Sequence, residues 1–321
     1  MTLAVVNAQG AIEVRDLAEI PGAEGARRPV VMELLAADVM PKDRQTARGH
    51  IRVPLPPLFV AGSQAVAVDE AGSRYFVRAS IDAGGGLRDG VYAQQFVAEA
   101  DWLIPMPDGL DPVVAAAGGA TLTDALYAVD DLAGLQAGET VLVLGATSGV
   151  GAAAADIALA RGCPVIVATR DPRAYVSLMG QRAGVTVIAN ADLPEAARAA
   201  TEARGADVII DTVGGELTAL GLKAAATGAR QIVLGYLAGF DSTIRVTDLI
   251  VTESRLIGMN AGTVAPQRQR QLVGAALALL ATGVHRPSPI VVRGLAEGPD
   301  ALLGDVPTGR TVLVGASLEG A

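Results

Sequence analysis

Cysteine and histidine are almost missing from this chain of 321 residues, which has one Cys, Cys163, and two His, His50 and His285. A single cysteine excludes an internal disulfide. Two histidines far apart in sequence also leave no tetrahedral site that Cys and His alone can build, so no metal is expected. Aromatics make up only 3% and charged residues 18% of the chain, and the formal net charge is −9. Such an acidic chain lacks the basic face that a nucleic-acid backbone requires, and no nucleic-acid partner is expected. Long apolar runs are scarce near the end, where the stretch from Leu272 to Val284 is too short to span a bilayer. The opening MTLAVVNAQGAIEVRD has neither a basic n-region nor a long apolar h-region. These absences predict a cytoplasmic protein with no membrane partner.

What is abundant is apolar residues, 51% of the chain, and glycine, with 38. The length allows a large core and two domains. From Gly138 onward, strand-like runs alternate with helical stretches: VLVLG, VIVAT (165–169), VTVIA (185–189), DVIID (207–211), QIVLGY (231–236) and RLIGM (255–259). That alternation predicts parallel βαβ units in a doubly wound sheet of order 3-2-1-4-5-6, closed by a helix over Pro266 to Gly283. The first 110 or so residues instead show short β-type runs broken by Gly and Pro, and strand character resumes after Ser288. The expected fold class is therefore α/β: a Rossmann doubly wound parallel sheet inserted in a mostly antiparallel β-barrel domain. The expected boundaries are 1–117 and 285–321 for the barrel and 118–284 for the Rossmann domain.

The run TVLVLGATSGVGAAAADIALARG, Thr140 to Gly162, is a buried strand, a glycine-rich turn and an alanine-rich helix. Its turn, with Ala146, Thr147, Ser148, Gly149 and Val150, keeps side chains short where backbone must approach a pyrophosphate, and the following helix directs free N–H groups at that anion. Two of the three glycines of G-x-G-x-x-G are Ala146 and Ser148 here; the alternative is a glycine-rich turn that binds nothing. At the end of the next strand stand Thr169 and Arg170, with no carboxylate at the tip and Asp171 just after it. Arg170, with Arg173 or Tyr175, suits a 2′-phosphate, which points to NADP(H) over NAD(H).

Several segments in order resemble the zinc-free, quinone oxidoreductase-like branch of the medium-chain dehydrogenase/reductases: AADVMPKDRQTARGH, PLPPLFVAGSQAVAV, DGVYAQQFVAEADWLIPMPDGLD, ATLTDALYAV, DVIIDTVGG, IVLGYLAG, LIGMNAGT and GRTVLV. The resemblance implies a GroES-like substrate domain and an oxidoreductase. Where zinc-dependent relatives carry Gly-His-Glu, this chain has Gly62-Ser63-Gln64, and Met40 replaces the family's usual Asn. Without a metal to polarise a carbonyl, a quinone or an activated C=C bond is the expected hydride acceptor. The resemblance places Thr123, Val213, Gly214, Tyr236, Leu237 and Asn260 around the nicotinamide, with core packing as the alternative for Val213 and a bond to its own helix backbone as the alternative for Thr123. It also offers His50, Tyr92 and Asp43 as proton donors or carbonyl contacts; the alternatives are a partly exposed histidine with no catalytic role, a packed tyrosine ring and an aspartate that braces its turn. It further implies a homodimer paired through the edge strand around Leu256 to Met259. A cofactor-binding but non-catalytic protein, or a non-redox biosynthetic enzyme, remains open on sequence alone.

Overall fold

The computed structural model describes residues 1–22, 28–50, 58–78, 90–287, 289–305 and 309–319, so residues 54–57 and 89 of the quoted segments lie outside the described residues. Strands β1 (Thr2–Ala8) and β2 (Ala11–Leu17) form a hairpin whose two linking residues, Gln9 and Gly10, both have positive φ, 51° and 96°. That conformation suits the right-handed twist of paired strands. After them come β3 (Pro29–Asp38), helix α1 (Pro41–Ala47), β4 (Leu58–Val60), β5 (Gln64–Asp69), β6 (Arg74–Arg78), β7 (Gln95–Glu99) and β8 (Leu103–Pro105). Every pairing among these strands is antiparallel. Helix α2 (Pro112–Leu126) then carries the chain toward the second unit. The helical run Pro112–Leu132 is long and apolar enough for a membrane span by composition, yet 72% of it is buried inside the protein, as befits a core helix.

The next strands are β9 (Val141–Leu144), β10 (Val165–Thr169), β11 (Val185–Ala189), β12 (Ala206–Asp211), β13 (Ala225–Val233) and β14 (Arg255–Gly258). They form one parallel sheet of order β11-β10-β9-β12-β13-β14. This is the 3-2-1-4-5-6 order that the alternating runs imply. All four residues of β9 are fully buried, as expected of a central strand covered on both faces. The helices that cover it are α3 (Gly149–Ala160), α4 (Pro172–Met179), α5 (Leu193–Ala199), α6 (Glu216–Lys223) and α7 (Val246–Thr252). Strand β13 begins at Ala225, earlier than the apolar run QIVLGY suggests, because it passes through Gly228 at φ +76° and a register shift against β12. Thr-Gly reads as a turn in sequence and is here absorbed inside a strand.

Helix α8 (Pro266–Ala281) leads to β15 (Ile290–Gly294), α9 (Gly298–Leu303) and β16 (Arg310–Val314). Strand β16 pairs antiparallel with β3, and β15 pairs parallel with β16. The contacts divide the chain into two compact units, Met1–Ala120 with Val273–Ala321, and Thr121–Leu272. The core of the first gathers Val5, Met32, Leu34, Phe96, Leu302 and Leu313, so both ends of the sequence supply it.

Asp38, at the end of β3, and Arg310, which opens β16, form a two-pronged ion pair in this unit. Asp38 is fully buried, and burial pushes its carboxyl up to about 6 despite the pull of Arg310. Arg310→Ala leaves that carboxylate without its cation and is expected to cost about 3–5 kcal/mol in urea unfolding. The pair Asp38→Asn with Arg310→Met is expected to recover most of the loss.

Candidate functional site

In the second unit the chain leaves β9 through Gly145, at φ +85°. A methyl group there would meet the Thr212 hydroxyl at 2.5 Å and Val213 at 2.6 Å, and one on Gly151 would meet the Gly145 carbonyl at 2.5 Å. Strand and helix therefore approach at a distance that only glycine permits. The two replaced glycines of the motif are tolerated for local reasons. Ala146 is buried with its small methyl, and Ser148 has ordinary extended angles, φ −77° and ψ 155°. Ser148 also does what glycine cannot. Its Oγ accepts from the Gly151 N–H at 3.0 Å as the N-cap of α3, and donates to Thr212 Oγ1 at 3.0 Å. Gly149 and Val150 form the first turn of α3 behind it.

In front of this turn lies a cleft of about 410 Å³. Ala146, Thr147, Ser148, Thr169, Arg170, Val213 and Leu237, all singled out in the sequence, line it, together with Gly145, Ala168, Asn190, Thr212, Leu217 and Ala238. Three others, Gly214, Tyr236 and Asn260, line a neighbouring hollow of the same unit. There Asn260 Oδ1 accepts from Gly262 N–H at 3.0 Å, and the Tyr236 ring stacks on Phe240 at 5.2 Å between centroids. Thr123 is buried at 2% exposure on α2 and lines neither hollow.

The tip of β10 decides the charge of the cleft. Arg170 is exposed and lines it, whereas the Asp171 carboxylate caps α4, accepting from the N–H groups of Arg173 at 2.9 Å and Ala174 at 3.1 Å. Asp171 is thus engaged by its own helix. Arg173 is exposed on the first turn of α4 and does not line the cleft. Tyr175 is buried on α4 and does not line the cleft.

The first unit holds a buried polar cluster around α1. Tyr92 is fully buried beside Gly62, where a methyl would fall 2.2 Å from its ring. The Tyr92 hydroxyl lies 2.8 Å from both Asp38 O and Asp43 Oδ2. Ser63 Oγ donates to Asp43 Oδ1 at 2.6 Å, and the Met40 N–H donates to Asp43 Oδ2 at 3.2 Å. Having one hydrogen, the tyrosine hydroxyl satisfies both oxygens only when Asp43 carries a proton of its own. Burial favours that state, because it raises the Asp43 carboxyl, and it also holds the Tyr92 phenol well above its ordinary range. Tyr92 and Asp43 brace the start of α1 in this arrangement. His50 stands apart from them, exposed, with Nδ1 2.8 Å from Gln45 Oε1. Arg44, buried beside Thr311, has one guanidinium nitrogen, Nη1, without a partner.

The family described as zinc-binding dehydrogenase matches residues 149–281. Among solved structures, the quinone oxidoreductase from Thermus thermophilus superposes with a TM-score of 0.78 at 26% identity, over 97% of this chain and 99% of that one. Among curated proteins, the acrylyl-CoA reductase AcuI of Ruegeria pomeroyi is 30% identical over 177 residues, 54% of this chain and 53% of that protein. The pikromycin polyketide synthase component PikAII of Streptomyces venezuelae is 28% identical over 221 residues, 67% of this chain but 6% of the synthase. This chain therefore spans a small part of that relative and about half of the reductase.

The chain is thus similar in fold to the quinone oxidoreductase-like branch of the medium-chain dehydrogenase/reductases, and its residues 149–281 match the dehydrogenase family above. The zinc in the matched family's description does not fit these residues. Ser63 and Gln64 offer a hydroxyl already given to Asp43 and an amide, and among the described residues no group of three or more His, Cys, Asp or Glu is placed to hold a metal.

When Asp43 loses its proton the Tyr92 hydroxyl becomes a donor to the carboxylate, and removing that hydroxyl withdraws the bond from the ionised form. A carboxyl raised in the folded state opposes folding once pH climbs past its unfolded value, and Tyr92→Phe raises it further. The variant is expected to lose about 1–2 kcal/mol, with a larger loss at pH 8 than at pH 4 in parallel urea titrations.

Proposed function

We propose that this protein is an NADPH-dependent reductase of activated C=C bonds or quinones in small molecules. The observation that carries the reading is the cleft at the glycine turn, which has Arg170 at its rim while the adjacent carboxylate is occupied as a helix cap. The first turn of α3, from Ser148 through Val150, would receive the pyrophosphate, and Arg170 the 2′-phosphate. A reduced nicotinamide held by these residues supplies hydride. Val213, Leu237 and, in the neighbouring hollow, Gly214, Tyr236 and Asn260 would surround its ring. Thr123, His50, Tyr92 and Asp43 keep their place as candidates by resemblance. For Tyr92 and Asp43 the buried hydrogen bonds favour a positioning role.

Two relatives support the choice of cofactor and acceptor. The Thermus thermophilus enzyme is a quinone oxidoreductase described in complex with NADPH, and AcuI is an acrylyl-CoA reductase. A quinone and an α,β-unsaturated thioester share the property that matters here: hydride adds to a carbon whose developing charge is delocalised onto an oxygen, which lowers the demand for a metal. Cytoplasmic location fits the use of a reduced nucleotide, and cell fractionation checks it.

The decisive experiment measures NADPH and NADH oxidation against a panel of quinones, enones and enoyl thioesters. Turnover with NADPH preferred is expected, and binding of NADPH without consumption by any acceptor would overturn the enzymatic reading. Arg170→Ala is expected to weaken NADPH about tenfold, equivalent to 1.4 kcal/mol, and to leave NADH within about twofold.

We also propose a homodimer through β14, the outer strand of the parallel sheet. Leu256 on that strand is 40% exposed, and Val246, Ile250 and Val251 on or beside α7 are exposed to a greater degree. An uncovered apolar strand edge of this kind invites pairing. Light scattering is expected to give twice the chain mass, and a monomer at micromolar concentration would refute the assignment.

A further inference from the structure

The cleft beside Arg170 contains one group for which the fold itself has no use. Asn190 stands just past the carboxyl end of β11 and lines the cleft with Ala168, Thr169 and Arg170. Its backbone carbonyl accepts from the Leu193 N–H, but its side-chain Oδ1 is sequestered from water and has no hydrogen-bond partner in the protein. Buried amide oxygens are nearly always paired, because an unpaired one has given up water for nothing. A leucine at this position would avoid that penalty. The amide therefore calls for a donor that arrives from outside the chain. Rotation about the asparagine χ2 torsion is soft, so the carboxamide turns into the cleft at small cost.

The surroundings narrow the identity of that donor. The glycine turn and Arg170 mark the anionic parts of the ligand, while Val213 and Leu217 offer apolar surface in the same cleft. What fits is the flat, amino-bearing base attached to those phosphates. Asparagine matches adenine in two places at once, its Oδ1 accepting from the 6-amino group and its Nδ2 donating to a neighbouring ring nitrogen. Hypoxanthine carries an oxygen at position 6 and sets lone pair against lone pair.

We propose that Asn190 is the residue that reads the adenine base and rejects its 6-oxo counterpart. This rests on the dinucleotide reading given above. It assigns Asn190 a part in choosing the ligand and none in the hydride step.

The test is equilibrium binding, followed by nicotinamide fluorescence, of NADPH and of the reduced hypoxanthine analogue to the full chain and to Asn190→Ala and Asn190→Asp. The wild type is expected to bind NADPH about tenfold tighter than the analogue. Asn190→Ala is expected to bring the ratio close to one by weakening NADPH alone, with an unchanged or raised melting temperature. Asn190→Asp, which keeps an acceptor oxygen, is expected to retain a preference for adenine. Tight but equal binding of both nucleotides by the wild type overturns the assignment and leaves the dinucleotide reading intact. Equal weakening of both by Asn190→Ala overturns it in the same way. Failure of either nucleotide to bind the wild type overturns both readings together.

Discussion

The parallel-sheet unit of this protein depends on a missing atom. A β-carbon at Gly145 or Gly151 would meet its neighbours at 2.5 Å, so neither position accepts a side chain while β9 and α3 keep their spacing. That spacing brings Ser148 to the start of α3, where its hydroxyl both caps the helix and reaches Thr212 at the end of β12. One close approach thus fixes the direction of a helix, the bond between two strand ends and the floor of a cleft. The replaced glycines of the motif lie where backbone angles are ordinary or the methyl finds room, so the motif has changed only where physical chemistry allows.

The parallel sheet was legible because its strands are buried on both faces and read as unbroken apolar runs. Val141–Leu144 and Val165–Thr169 match their runs almost residue for residue. The start of β13 was not, because Thr227-Gly228 carries the local signature of a turn and only the partner strand β12 holds it in the sheet. Seven residues of the cleft were named from sequence since they sit at strand ends in a repeating topology. Asn190 has the same address at the end of β11, and its position was a usable signal. Tyr175 is buried and outside the cleft lining, because closeness in sequence to Arg170 says nothing about which face of a short helix turns inward.

Asp38 was invisible for a different reason. It ends an apolar strand as a single acid, and the cation that answers it lies 272 positions later. No window along the sequence joins them. The same unit buries Tyr92, Asp43 and Ser63 in a cluster whose hydrogen count closes only with a proton on the carboxyl. Gly62-Ser63-Gln64 stands where the resemblance puts the metal-holding triplet of zinc-dependent proteins. Here its serine is committed to the neighbouring acid, and the neighbourhood is stiffened by hydrogen bonds.

The separation between Asp38 and Arg310 also bears on how the protein is made. The strands around Asp38 leave the ribosome before Thr121–Leu272, whereas Arg310 and the strand that carries it follow only after the whole of that unit has been synthesised. At ordinary elongation rates that delay is on the order of tens of seconds. The inserted unit is continuous in sequence and free to fold during this interval, while the outer unit waits with an unanswered acid. Nascent chains halted before residue 310 therefore hold Asp38 without its cation.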